Sequence, residues 1–267
     1  MMKNKSFLLM LVLVIGVLAA CGAKENKDNS TNSNADVGTE QKQVLKVGTS
    51  ADYAPFEYVD AAKGEEIIGF DIDLIKLVGE KIGVDMQVQD MDFNSLVPAL
   101  QAGKIDVVIS GMTPNPEREQ VVDFTDKYNE TEQVIIVKKD SGIKKEADLA
   151  GKKIGVQTAS IQENLGNNIA KKVDATVEGR TRIPEIIQDM MSKRLDAGIL
   201  EGGVAKGYLK TNDKLAAFPV EEQPEDFKAI AVPKGSDLKD KINKALKELA
   251  DEGKIQELEE KWLEKVE

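Results

Sequence analysis

The sequence predicts an α/β protein of two lobes, each built on a mostly parallel sheet covered by helices. Three observations predict it. From Val44 onward, short apolar strands alternate with amphipathic helices. The alternation runs twice, and the two runs share a pattern: Leu96 to Gly111 reads LVPALQAGKIDVVISG, and Ile186 to Gly202 reads IIQDMMSKRLDAGILEG. Each has helix, basic residue, Ile or Leu, Asp, a short apolar strand, then polar residues and glycine. Finally, two extended segments, Gln133–Lys138 (QVIIVK) and Phe227–Val232 (FKAIAV), flank the second run. They can be the strands by which the chain leaves one lobe and returns to it.

The first run reads as strand Val44–Thr49, a hairpin-like stretch Phe56–Ile68, helix Asp71–Ile82 and strand Met86–Gln89. Helix Asn94–Gln101 and strand Ile105–Ser110 follow. The second run reads as strand Lys153–Gln157, helix Ser160–Ile169, strand Ala175–Gly179, helix Pro184–Leu195, strand Ala197–Leu200 and helix Val204–Leu209. Helices Asp237–Ala250 and Ile255–Glu264 close the first lobe. In the first of these, Leu238, Ile242, Leu246 and Leu249 recur at helical spacing and form one apolar face. In the two matched segments the strands deliver Ser110 and Glu201 at their C-terminal ends, where open parallel sheets bind ligands.

Between the runs lies SGMTPNPER, Ser110 to Arg118, ending on one of only four arginines. It reads as strand, tight loop and helix start. Gly111 lets the backbone approach a partner closely. Pro116 fits a first helical position, where its missing N–H costs nothing. Free N–H groups of that turn and the Arg118 fork would converge on an anion; the alternative is a polar surface loop with a solvated arginine.

The N-terminus opens with Lys3 and Lys5, an apolar run from Phe7 to Ala20, and then Cys21. The run is shorter than the ~20 residues that span a bilayer, so residues 1–20 read as a signal peptide. Leu18-Ala19-Ala20-Cys21 resembles the bacterial lipobox, in which the cysteine becomes the lipidated first residue; the alternative is an ordinary signal peptide with an incidental cysteine. Cys21 is the only cysteine, which excludes a disulfide framework and a cysteine metal site. Residues 21–43 carry almost nothing apolar and read as a flexible tether.

Losing Lys3 and Lys5 with the leader takes 36 basic residues to 34 against 47 acidic ones, a net charge of −13. With no basic patch interleaved with aromatics, nucleic acid is not a partner. The chain has no histidine. That excludes Ser-His and Cys-His nucleophilic sites and histidine-based metal capture. Enzymes that work with carboxylates or lysines alone stay open.

Eight motifs, in order, resemble the bacterial extracellular solute-binding proteins of polar amino-acid ABC transporters. They are GTSADYAPFEY (48–58), GFDIDL (69–74), DFNSLVPAL (92–100), IDVVISGMTPNPER (105–118), VDFTDKY (122–128), KIGVQTASIQE (153–163), RLDAGILEG (194–202) and GKIQELEEKW (253–262). The resemblance covers Val44–Glu267. It implies a type II periplasmic-binding-protein-like fold: two α/β lobes, residues 44–132 with 224–267 and residues 133–223, joined by two crossover strands acting as a hinge. It further implies a lipid-anchored monomeric receptor on the extracytoplasmic face that traps one amino acid, uses no cofactor and serves an ABC permease.

By the same resemblance, Arg118 pairs with the ligand's α-carboxylate, helped by Thr113 and by N–H groups near Ser160 and Ile161. Ser110 and Gly111 accept from the α-ammonium, and Glu201 is its counter-charge. Tyr53 and Phe93 wall the side-chain pocket, with Ser50, Asp52 and Asp71 as polar partners and Gln162 behind them, linking the lobes. Asp71 can alternatively cap the helix it begins, Phe93 can be core, and Glu201 can be a solvated rim charge. Arg180, Arg182 and Arg194 lie outside the motif. Three positions depart from the family pattern: Ala159 replaces a usual glycine, Glu201 a usual aspartate, and Ser50 the acid common in binders of basic amino acids. The acids favour a basic ligand (arginine, lysine or histidine), with glutamine or another polar amino acid as the alternative. A same-fold dehydratase is the rival enzyme.

Overall fold

The computed structural model describes residues 42–60 and 64–263. The expected signal peptide, Cys21, the tether up to residue 41 and Glu264 of the last expected helix lie outside the described residues.

Two five-stranded sheets form the body, and they follow the same plan. The first runs Asp85–Asp90, Val44–Thr49, Val107–Val108, Ala231–Pro233, Val122–Phe124; the second runs Thr176–Arg180, Lys153–Gln157, Ala197–Glu201, Gln133–Lys138, Leu215–Pro219. In each, the first three strands are parallel and the fourth is antiparallel to both its neighbours. The recurring aspartate of the two matched segments has one job in both. Asp106 accepts from the Lys46 N–H at 2.8 Å, and Asp196 accepts from the Lys153 N–H at 2.9 Å. Each therefore ties the start of its strand to the neighbouring one. The glycines of the leading strands also correspond: a Cβ on Gly48 would stand 2.5 Å from Ile105 Cδ1, and one on Gly155 would stand 2.5 Å from Leu195 Cδ1. The central strands of both sheets are apolar on both faces, as buried parallel strands require; Val47, Val107, Ile154, Val156 and Ile199 are fully buried.

Helices Phe70–Ile82 and Phe93–Gln101 flank the first sheet, and helices Leu238–Asp251 and Lys254–Trp262 pack on Phe70–Ile82. The expected face of Leu238–Asp251 is the packed one, with Ile242, Leu246 and Leu249 buried. Helices Ile161–Val173, Ile183–Met191 and Gly202–Thr211 serve the second sheet. The expected helix over 184–195 ends earlier because Ser192 caps it and Lys193 turns into the left-handed region at φ 63°, which drops Leu195 into the core. Strands Val122–Phe124 and Leu215–Pro219 have no counterpart in the sequence expectations.

The crossovers sit slightly ahead of where the sequence places them. Gln133–Lys138 is the fourth strand of the second sheet, not a connection. The chain passes between lobes at Asn129–Glu130 and returns at Phe227–Lys228, and these two short strands pair antiparallel side by side. Lys228 thus stands on the crossover, and Ala231–Pro233 has already joined the first sheet.

Candidate functional site

The C-terminal ends of the parallel strands face one another across a cleft. From the first lobe, Ser50 and Ser110 follow Val44–Thr49 and Val107–Val108; from the second, Gln157 and Glu201 end their strands. All four are almost fully buried where the lobes meet. A small cavity, with room for about one water molecule, remains between Ser50, Tyr53, Phe93, Ser110, Gly111 and Thr113 on one side and Gln157, Ile161 and Gln162 on the other; Glu57 and Lys228 complete it.

Arg118 lies in the loop with only 7% of its surface exposed. It is the third residue of a four-residue helix, Pro116–Glu119, with Pro116 first as expected. The Arg118 backbone N–H is taken by the Asn115 side chain at 2.8 Å, so that turn's N–H groups do not all converge on an anion. The guanidinium instead donates to the Thr113 carbonyl and, from the other lobe, to the Ala159 carbonyl at 2.8 Å. Its carbon stands 5.3 Å from the centre of the Phe93 ring. Among the described residues no carboxylate lies within ion-pair distance of it. A buried cation that is not paired is costly, and burial holds Arg118 down at about 10. The guanidinium is a fixed fork, flanked by an aromatic face, with donors to spare.

Gly111 needs its residue type. Its φ is +48°, and a Cβ there would meet the Tyr53 ring at 3.1 Å. Its N–H is held by Asp71 Oδ2 at 2.7 Å, and the Tyr128 hydroxyl donates to the same oxygen at 2.8 Å. Asp71 therefore does not reach the cavity. It does not cap its helix either, since Gly69 is the cap; it is a fully buried support beneath the loop. Burial raises its pKa to about 6 despite those two hydrogen bonds.

Buried acids gather at the same junction of the lobes. Glu201 is 1% exposed, which removes the solvated-rim alternative. It accepts from the Tyr53 hydroxyl at 3.2 Å and pairs with Lys228 at 3.2 Å. Asp226 accepts from the Thr113 hydroxyl, the Gln133 amide and Lys228. Burial raises the Glu201 pKa, although Lys228 opposes it. Burial works to lower Lys228, but Glu201 and Asp226 outweigh it and its pKa rises. Glu57 is fully buried, accepts from the Ser110 hydroxyl at 2.8 Å through one oxygen, and has no partner for the other. Its pKa stands well above the usual carboxylate range, first through burial and then through Asp71.

The other expected residues fall into two groups. Ser160 caps helix Ile161–Val173: its hydroxyl accepts from the Glu163 N–H, while Glu163 accepts from the Ala159 N–H at 2.7 Å. This reciprocal cap holds Ala159 at φ 62°, a conformation that glycine adopts more easily. The Ser160 N–H goes to the Gln157 carbonyl at 3.3 Å, while Ile161, first in the helix, faces the cavity. Gln162 reaches Gln133 at 3.0 Å and the Tyr53 hydroxyl at 3.5 Å, bridging the lobes. Asp52 turns away from the cavity. Ser50 donates to its Oδ1 at 2.7 Å, and the Ile183 N–H of the second lobe donates to its Oδ2 at 2.6 Å.

Glu57, Gln157, Asp226, Lys228 and Arg182 are missing from the residues singled out in the sequence. One signal existed for Lys228: a lone charge inside the apolar run FKAIAV. Arg182 looked peripheral in sequence, yet it crosses the cleft to Asp90 at 2.8 Å and to Asp92 at 2.9 Å.

The family model described as bacterial extracellular solute-binding proteins, family 3, matches residues 45–265. The chain is 45% identical over 263 residues to the arginine-binding extracellular protein ArtP of Bacillus subtilis (strain 168), covering 98% of each chain. Among solved structures, an ancestral arginine-binding protein bound to arginine superposes with a TM-score of 0.77 at 41% identity, covering 83% of this chain and 99% of that one. An ancestral arginine-binding protein bound to glutamine gives 0.76 at 40%, covering 83% and 98%.

Proposed function

The chain belongs to the bacterial extracellular solute-binding proteins of family 3, and from that premise we propose that it captures a basic L-amino acid, arginine first, between its lobes and delivers it to an ABC permease. One observation carries this: where the lobes meet, a buried guanidinium lacks a carboxylate partner, while the buried acids Glu57, Glu201 and Asp226 outnumber their one lysine. A zwitterion supplies both missing charges. Its α-carboxylate goes to Arg118, with Thr113 and the Ile161 end of the helix beside it. Its α-ammonium goes to Glu201 and the Ser110–Gly111 segment. The side chain then runs between Tyr53 and Phe93 toward Ser50 and the unpartnered oxygen of Glu57. That oxygen takes the place expected of Asp52 and Asp71 as a polar partner of the side chain. The names of ArtP and of the ancestral protein support the same ligand class.

Residues 44–132 with 224–267 form the loading lobe, and residues 133–223 close on it; contacts that exist only when both lobes meet favour closure. The protein acts as a monomeric receptor rather than an enzyme. A thermal-shift panel of the twenty amino acids tests the ligand. Arginine, lysine or histidine raises the melting temperature more than leucine or glutamate does, and ligand at 100 times its Kd adds about 2.7 kcal/mol of stability. A shift from glutamine alone, or only from acidic or apolar amino acids, would overturn the basic-ligand assignment.

Leu18-Ala19-Ala20-Cys21 supports a lipid anchor at the outer face of the membrane, with residues 21–43 as the tether. Cys21→Ser is expected to abolish lipid attachment and release soluble protein, while a Val44–Glu267 fragment keeps full ligand affinity. Metabolic labelling with a fatty acid checks it; labelled lipid on the Cys21→Ser protein would sink the anchor.

A further inference from the structure

Besides the Arg118–Ala159 contact, a second set of bonds joins the lobes. Arg182 caps helix Ile183–Met191 of the second lobe, and Glu185 fixes its backbone by accepting from the Thr181 and Arg182 N–H groups at 3.0 Å each. Its guanidinium reaches into the first lobe. It binds Asp90 with two prongs, at 2.8 and 3.2 Å, and Asp92 through Nε at 2.9 Å. Asp52 lies 3.6 Å away and is held by the Ile183 N–H. Asp90 itself accepts from the Ala51 N–H at 2.8 Å, and Arg182 also donates to the Ser50 hydroxyl at 3.5 Å, so the grip extends to the edge of the cavity. One cation thus serves three acids that face it from two strands and a helix cap. Any opening of the cleft on this side pulls the guanidinium from all three and leaves like charges together.

We propose that Arg182, with Asp90 and Asp92, is an interlobe clasp that slows ligand release without touching the ligand. The clasp rests on the two-lobe receptor reading above, and it makes Arg182 a positioning residue. It also keeps Asp52 turned from the cavity, which leaves Glu57 as the acid that faces the ligand side chain. Because the guanidinium is about a quarter exposed, salt screens the clasp in part.

The test is a double-mutant cycle on the full-length protein, Arg182→Ala against Asp90→Ala/Asp92→Ala, read by stopped-flow arginine binding and by thermal unfolding. Arg182→Ala is expected to raise the dissociation rate about tenfold and to leave the association rate within about twofold. Arg182→Lys recovers part of the loss, since a point charge cannot reproduce the two-pronged contact. Raising the salt from 50 to 500 mM should speed release from the wild type more than from Arg182→Ala. Arg194→Ala, whose guanidinium pairs with Asp189 of its own lobe, is the control and should change neither rate. Additive effects of the two sides of the cycle on release, or equal salt sensitivity, would overturn the clasp while leaving the ligand assignment intact. If no amino acid binds the wild type, the receptor reading fails instead. The unfolding cycle needs no ligand and still decides: absence of coupling between Arg182 and the two aspartates overturns the clasp.

Discussion

Arg118→Ala is expected to weaken arginine binding by roughly thirty- to several-thousand-fold, the equivalent of about 2–5 kcal/mol for truncating one partner of a desolvated charge pair. The loss has two sources. The ligand carboxylate keeps only neutral hydrogen-bond partners near Thr113 and Ile161, and the bond from the first lobe to the Ala159 carbonyl disappears with the guanidinium. Arg118→Lys should recover only part, because an ammonium lacks the planar fork and its fit over the Phe93 ring. Arg180→Ala and Arg194→Ala serve as controls, since both side chains pair with Asp189 within the second lobe. Titration calorimetry on these variants measures it. Near-native affinity in Arg118→Ala would remove the centre of the proposed function.

Arg118 was legible because sequence rules describe its surroundings: an apolar strand, a glycine that must turn, and a proline that starts a helix. Strand Lys153–Gln157 and the face Ile242–Leu246–Leu249 were legible for a related reason, since burial leaves a period in the sequence. The two-lobe plan came from repetition, and the aspartates at 106 and 196 give that repetition a physical cause. The charges in the cleft leave no such trace. Glu57 sits in a short strand where a polar residue normally faces water, and nothing local says that Ser110, 53 residues later, will bury it. The sequence points instead to Asp52 and Asp71 as the polar partners of the pocket. Only the hydrogen bonds show that Asp52 is held toward Ile183 and that Asp71 commits one oxygen to Gly111 beneath the loop. Arg182 is 90 residues from Asp92, and pairing at that distance is a property of the closed fold rather than of a segment. The crossover shifted for a simpler reason: QVIIVK is apolar enough for any buried strand, and its pairing with Ala197–Glu201 decides which one it is.

Lys228→Met is expected to cost about 3–5 kcal/mol of unfolding free energy at pH 7, the range for removing one partner of a buried ion pair. Lys228 is 1% exposed and holds Glu201 and Asp226 at 3.2 Å each. Methionine keeps most of the volume, so packing changes little and charge dominates. The loss should fall toward the lower end of the range, because Asp226 keeps the Thr113 and Gln133 donors and Glu201 keeps the Tyr53 hydroxyl. The sign of its pH dependence follows from the carboxylates. Burial already raises Glu201 while Lys228 opposes the rise. Without the lysine its folded pKa climbs further above the unfolded value. A carboxyl raised in this way is penalised as pH rises through the acidic range and relieved as pH falls. The gap between wild type and Lys228→Met should therefore be widest near neutrality and should narrow at pH 4. Adding Asp226→Asn to Lys228→Met should restore part of the loss, since it removes one uncompensated charge. Urea unfolding at both pH values measures each of these. A loss below about 1 kcal/mol, the size of an exposed pair, would mean that the acids share protons and do not need the lysine. A loss that stays constant down to pH 4 would trace it to packing instead.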